Sequence, residues 1–470
     1  MEEQQLKRSL KPRHISMIAL GGVIGTGFFL GTSQIIHQAG PGGAILSFTV
    51  GGLVMFLIML CLGELAVAMP VSGSFQRYAS MFIGPATGFM VGIMYWLNWV
   101  ATISLDITSM SELMKRWFPH SSSWIWIITF SVLIFIINAL STRSYGESEF
   151  WLAGIKVVTI VLFIILGGAA LFGLISMKDQ SAPMFSNYMN HGGLFPNGLS
   201  AVFLTMIAVN FSFQGTEIVG IAAGESDQPE KSIPRAIRQT AWRTVLFFVL
   251  GITILAGLIP WTEAGKVESP FVVVFDKIGI PYAADIMNFV IITALFSAAN
   301  SGLYSSTRMI WSLAQEKLVS PRLGKVNQRG VPFTALAFTF AISILGLLTN
   351  LVSPEKAFAW LLNAAALAAL VGWISIPLSQ FFFRKQYLSE GGKIEELKFH
   401  TPFYPVVPIL AFGFNFIVLI SLIFIPEQQP VFIGGSIAIV LCYLYYFIFI
   451  RKRIDRSVYN SKNIHKKAHR

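Results

Sequence analysis

Long apolar runs, broken by short polar stretches, organise this chain from about residue 15 to residue 450. Each run is close to 20 residues, the length a helix needs to cross the hydrocarbon core of a bilayer. Twelve such spans are predicted, at about 15–36, 43–69, 87–114, 123–141, 150–175, 199–222, 240–260, 281–315, 333–351, 355–383, 404–425 and 430–450. Runs of that length exclude a barrel, whose strands are half as long and alternate in polarity.

Two of the runs are interrupted from within. The first carries GGVIGTGFF at 21–29, with glycine at four of nine positions, although each interior glycine costs a helix about 1 kcal/mol against alanine. Gly21 and Gly25 are spaced as a GxxxG pair, so close helix packing is one reading. Unwinding is the other. The sixth run favours unwinding, since NFSFQGTE at 210–217 crowds five polar side chains around Gly215. Runs 1 and 6 each open a block of five. Matching interruptions in two halves are the mark of an inverted-repeat transporter with its site at the breaks. A broken helix frees N–H groups at one new end and C=O groups at the other. The first suits a carboxylate and the second an ammonium group, which together are the two poles of a free α-amino acid.

Polar positions inside other runs fall on single faces. At 100° per residue, Asn98, Thr102, Asp106 and Ser109 of run 3 lie within about 80° of arc, and Asn98 and Asp106 are candidates to line a cavity. Thr293, Ser297, Asn300, Ser301 and Tyr304 of run 8 form a second stripe. It either lines the same cavity, holds an ion or ties helices together. Lys156 is the one basic residue placed inside a run; it either snorkels to the surface or is a buried amine that exchanges a proton. Glu64, at the end of run 2, is expected to pair with an arginine such as Arg77, and Asp285 to open its helix. The stretch 223–239, with both charge signs and two prolines, reads as a loop leading into a helix, with a role in gating.

Composition agrees with this picture. Charged residues are 12% of the chain and hydrophobic residues 54%, against roughly 25% charged in soluble domains. With the N-terminus inside, 27 of the 34 Lys and Arg residues fall on the cytoplasmic side and six outside, Lys156 being the remaining one. That asymmetry predicts both termini in the cytoplasm. The net charge of +11 is then a topology signal at an anionic leaflet rather than a nucleic-acid footprint. Cys61 and Cys442 sit in apolar runs and imply no disulfide or metal framework. The opening MEEQQLKRSLKPRH is polar and the run behind it is span-length, so no cleavable signal is predicted. No GxSxG, HExxH or nucleotide loop occurs, which predicts neither an enzyme, a bound cofactor nor an ATP-driven pump.

The motifs RHISMIALGGVIGTGFF, QAGPGGA, LGELAVAMPVSGSF, FSFQGTEIVGIAAGES, IPRAI and ANSGLYSSTRM together resemble the amino acid–polyamine–organocation superfamily, in its bacterial amino acid permease branch, along nearly the whole chain. The resemblance implies an all-α membrane fold like that of the leucine transporter, with helices 1–5 (15–175) and 6–10 (199–383) as inverted repeats. Helices 11–12 (404–450) and cytoplasmic tails at 1–14 and 451–470 complete it. It implies proton-driven import of an amino acid across the cytoplasmic membrane. By the same resemblance Gly22, Ile24, Gly25, Thr26 and Gly27 match the broken helix that holds the substrate carboxylate. Phe211, Gln214, Thr216 and Glu217 match the break in helix 6. Lys156 matches a lysine that replaces a sodium ion in proton-coupled relatives, and Glu217 is the second coupling candidate. Overall the chain is most similar to lysine and arginine/ornithine permeases. Acids near Asp106 and Glu217 also occur in relatives for aromatic or neutral amino acids, and LLNAAALAAL at 361–370 has alanines where lysine permeases read NTSGM. Basic amino acids are the first expectation, aromatic or neutral ones or exchange the alternative, and a transporter-like nutrient sensor a third. The partners implied are the amino acid, protons and the lipid bilayer.

Overall fold

The computed structural model describes residue 6 and residues 8–178, 181–267, 269–348, 354–426 and 428–452, without the side chains of 354–360. All but Arg451 and Lys452 of the expected C-terminal tail, residues 1–5 and 7 of the N-terminal tail and the end of run 9 lie outside the described residues.

Run 1 folds as two pieces, α1 (Pro12–Gly21) and α2 (Thr26–Phe29). A helix continues from there as α3 (Gly31–Ala68). It bends at Gly40, whose φ of 72° is left-handed and which precedes Pro41, so the outer half of run 1 and all of run 2 share one helical path with a corner between them. A short α4 (Ser74–Phe82) leads to α5 (Pro85–Leu113). Then come α6 (Ser123–Leu140) and α7 (Thr142–Leu171). Run 6 is again two pieces, α8 (Ser200–Ser212) and α9 (Ile218–Ala222). They are followed by α10 (Pro229–Leu258), α11 (Pro270–Ile278) and α12 (Ala283–Gln315). The remaining helices are α13 (Phe333–Leu347), α14 (Pro354–Ser389), α15 (Val406–Ser421) and α16 (Gln429–Tyr445). Among the described residues there is no strand, and only one isolated bridge joins Leu10 to Ser226.

Nine helices among the described residues are long and apolar enough to cross a membrane, and α8 and α13 are shorter apolar helices. The most buried apolar windows belong to α5 (83%) and α12 (78%), and those of α6 (22%) and α16 (17%) are largely exposed. This divides the molecule into a polar-lined central bundle and an outer belt of bare Leu, Ile and Phe. That is the arrangement a lipid solvent favours, because hydrocarbon outside and satisfied backbone inside cost nothing. The molecule is a multi-pass membrane protein.

The helix expected at 240 begins at Pro229, with proline at the helix start. Pro234 does not end it. The expected loop is therefore shorter and consists mainly of 223–228.

Candidate functional site

The helix of run 1 stops at Gly21 and restarts at Thr26. Between them the N–H groups of Gly25, Thr26 and Gly27 find no backbone acceptor among the described residues. The helix of run 6 stops at Ser212 and restarts at Ile218. Gly215, with φ of 102°, sits at its centre. The two breaks cross in direct backbone contact. A Cβ on Gly215 would lie 2.3 Å from the Gly22 carbonyl oxygen, and one on Gly27 2.6 Å from the Ser212 Cα. Ser212 Oγ donates to the Gly27 carbonyl at 2.9 Å. Packing and unwinding are thus one device, since unwound backbone can meet unwound backbone only where side chains are absent. Gly21 and Gly25 serve packing as well, because added Cβ atoms would strike Glu149 and Ala298.

Around the crossing stand the predicted side chains. Asp106 is fully buried on α5 and accepts from Thr26 Oγ1 through one oxygen; the other has no protein partner. Gln214 donates to Thr102 Oγ1 at 3.2 Å and leaves its own Oε1 unpartnered. Asn98 is fully buried with both amide atoms unpartnered, and Ser109 Oγ is likewise unpartnered. The run 3 stripe therefore faces the crossing. Thr216 donates to the Phe213 carbonyl at 3.1 Å. Ile24 and Phe211 are buried apolar neighbours.

Glu217 is placed differently. Its carboxylate accepts from the Gly215 N–H (2.9 Å), Tyr95 Oη (3.0 Å) and Trp373 Nε1 (3.2 Å). One of the groups freed by the break is thus taken up by an acid of the break itself, in the manner of a cap.

Lys156 is fully buried and donates to the carbonyl of Gly21, where α1 ends. It does not snorkel. It interacts electrostatically with Glu149 and with Asp106. Glu149 is fully buried and was not singled out from the sequence, where it falls one residue before the expected span 5. It accepts from Ser297 Oγ and from Asn300 Nδ2 (3.4 Å). Seven residues from Lys156, it lies only about 20° away on the same helical face, which is the signal that would have found it. These contacts also decide among the readings of run 8, in favour of bonding between helices. Ser297 and Asn300 bond Glu149, Asn138 donates to Asn300 (2.7 Å), Ser301 bonds Tyr145 (3.0 Å) and Tyr304 bonds Glu225 (2.7 Å). The stripe ties helices together.

Two further expectations change in detail and one holds. Glu64 pairs with Arg384 and accepts from Gln380 and the Thr401 N–H, whereas Arg77 pairs with Glu316 at 2.8 Å. Arg308 and Arg384 are buried within helices, so Lys156 is not alone. Asp285 does lie in the first turn of α12, and it also bonds Arg116 at 2.7 Å.

The crossing is open toward one face. A cleft of about 630 Å³ reaches it from the face opposite the N-terminus, lined by Gly27, Leu30, Ser109, Glu112, Lys115 and Phe211 among others. On the N-terminal face the way is shut. Glu225 accepts from Arg308 (2.8 Å), Tyr304 (2.7 Å) and Thr142 (2.8 Å). Its carbonyl accepts from the Leu10 N–H at 3.1 Å, and the Leu10 carbonyl accepts from the Asp227 N–H at 3.1 Å. Among the described residues no group of three or more His, Cys, Asp or Glu is arranged to hold a metal.

Crossed broken helices at the centre of a polar-lined bundle, with access from one side, define a membrane transporter. A crystallised manganese transporter of Eremococcus coleocola shares the fold, with a TM-score of 0.57 at 15% identity over 94% of each chain. The family model described as amino acid permease matches residues 14–469, and the chain belongs to that family. It is 57% identical to amino-acid permease RocE of Bacillus subtilis (strain 168) over 449 residues, 96% of each chain. It is 42% identical to the lysine-specific permease LysP of Escherichia coli (strain K12) over 419 residues, 87% of this chain and 85% of that one. The protein is a transporter of the permease class and not an enzyme.

Proposed function

We propose that the protein imports basic amino acids, lysine or arginine/ornithine, across the cytoplasmic membrane by proton symport with alternating access. In this reading twelve spans are arranged as a five-plus-five inverted repeat with two added helices, and both termini lie in the cytoplasm. The observation that carries it is the crossing itself, where three bare N–H groups adjoin an acid with a free oxygen. The N–H groups of Gly25, Thr26 and Gly27 receive the substrate carboxylate, and Gly22 and Ile24 shape the break. Carbonyls freed at the break take the α-ammonium. Asp106, Asn98 and the Gln214 oxygen receive the cationic side chain, and Phe211 and Thr216 line it. Lys156 carries the coupling proton where it grips the end of α1, and Glu217 is the second group proposed for coupling. The kinship with a lysine-specific permease supports the basic substrate.

One observation favours the neutral or aromatic alternative. Ala365 and Ala366 of α14 are buried, and Leu362 lines the cleft, which leaves that wall apolar.

Proteoliposomes loaded against a pH gradient, with labelled lysine and arginine, test the proposal. Gradient-driven accumulation of either is expected. Strong uptake of an aromatic or neutral amino acid with neither of these overturns the substrate, and counterflow without net uptake overturns symport. Lys156→Ala is expected to abolish the dependence on the gradient while binding persists; unchanged dependence removes Lys156 from the coupling.

A further inference from the structure

A second cleft, of about 500 Å³, opens on the N-terminal face between the starts of α1 and α10. It is lined by Arg13, Lys231, Arg235 and Arg243, with Gln228, Gln239 and two serines, and by no acid. Arg13 is engaged by Glu147, and the neighbouring Glu230 is engaged by Lys398 at 2.5 Å. Lys231, Arg235 and Arg243 have no carboxylate partner among the described residues. Three cations held in one concavity repel one another unless an anion joins them.

The same ridge of α10 says where the anion comes from. Lys231, Arg235, Gln239 and Arg243 follow at intervals of four, and the ridge continues through Leu246 and Leu250, which are exposed on the belt. Trp242 (67% exposed) on α10 and Trp151 (70% exposed) on the adjacent α7 mark the boundary level, where tryptophan settles between headgroups and acyl chains. Cations reaching the tryptophan level, with bare leucine beyond it on the same helix face, match a phospholipid read from its headgroup downward. We propose that this cleft binds the phosphate of an anionic phospholipid, its acyl chains running along the exposed ridge of α10. Because its walls are the first half of the broken helix and the start of α10, the bound phosphate ties those two elements together on the closed face.

The test uses the full-length protein in nanodiscs of phosphatidylcholine with and without phosphatidylglycerol, with bound lipids counted by native mass spectrometry. The wild type is expected to retain phosphatidylglycerol through delipidation and to gain thermal stability from it. Each charge removed from Lys231, Arg235 and Arg243 as glutamine is expected to weaken retention roughly fivefold. Lys317, Arg322 and Lys325 replaced together by glutamine remove the same charge from another loop and are expected to change nothing. Equal loss in both triple variants overturns a built site in favour of diffuse charge. Inorganic phosphate giving the same stabilisation in phosphatidylcholine alone overturns the lipid as its source. The single variant Arg235→Gln reads the same retention if the triple variant does not fold.

Discussion

The two helix breaks are alike in outline and opposite in how their backbone is satisfied. The break at 213–217 is nearly self-sufficient, because Glu217 gathers the Gly215 N–H, Tyr95 and Trp373 onto one carboxylate. The break at 22–25 leaves the N–H groups of Gly25, Thr26 and Gly27 bare, and beside it one Asp106 oxygen, the Gln214 amide oxygen and both Asn98 amide atoms are unpartnered. One break is a structural brace and the other is a socket. Since a buried unsatisfied group costs about 1–3 kcal/mol, the socket carries a standing penalty that an arriving ligand removes. Binding affinity is thereby stored where the fold leaves polar groups unmet.

Three substitutions separate brace from socket. The largest effect is expected at the contact between them. Gly215→Ala forces a Cβ into the Gly22 carbonyl from a left-handed backbone, at a cost on the order of 3–5 kcal/mol. Thermal unfolding in detergent should move down by many degrees and uptake should vanish. A variant as stable as wild type would show that the breaks do not touch. Next comes Glu217→Gln, which keeps the shape and turns one acceptor into a donor facing other donors. A loss of about 1–3 kcal/mol is expected, read as a lower unfolding temperature whether or not substrate is present. The smallest effect on the fold is expected from Asn98→Ala. With no protein partner to lose, stability should hold or rise slightly, whereas the KM for substrate rises about tenfold, the worth of one hydrogen bond of about 1.4 kcal/mol. Stability lost at Asn98 and kept at Glu217 would invert the assignment.

Much of this was legible in the chain. Glycine density and polar crowding announced both breaks, because an apolar environment punishes either without a local reason. The stripe Asn98, Thr102, Asp106 and Ser109 pointed to the site because a helical period converts spacing directly into a face. For run 8 the same period left several readings open. Its stripe is real, but a face does not say what it meets, and Ser297 and Asn300 meet Glu149 of another helix. Glu149 itself escaped notice because it lies at the border of a run, amid serines that look like loop. Partners 320 residues apart, such as Glu64 and Arg384, are set by helix packing, about which hydropathy carries no information. The four-residue steps along the start of α10 were hidden by two prolines that signalled a loop.

Glu225 ties several elements of the closed face together through its side chain and its backbone carbonyl. Helix α7 through Thr142, α12 through Tyr304 and Arg308, and the strand-like segment at Leu10 all end on this one residue. Stripping one member from a buried ion pair costs about 3–5 kcal/mol, so the partners have no inexpensive order in which to leave. Any opening of this face is therefore a single event rather than a gradual loosening. Its timing would be set by the height of one barrier, and the interval between openings would lengthen or shorten with that one carboxylate.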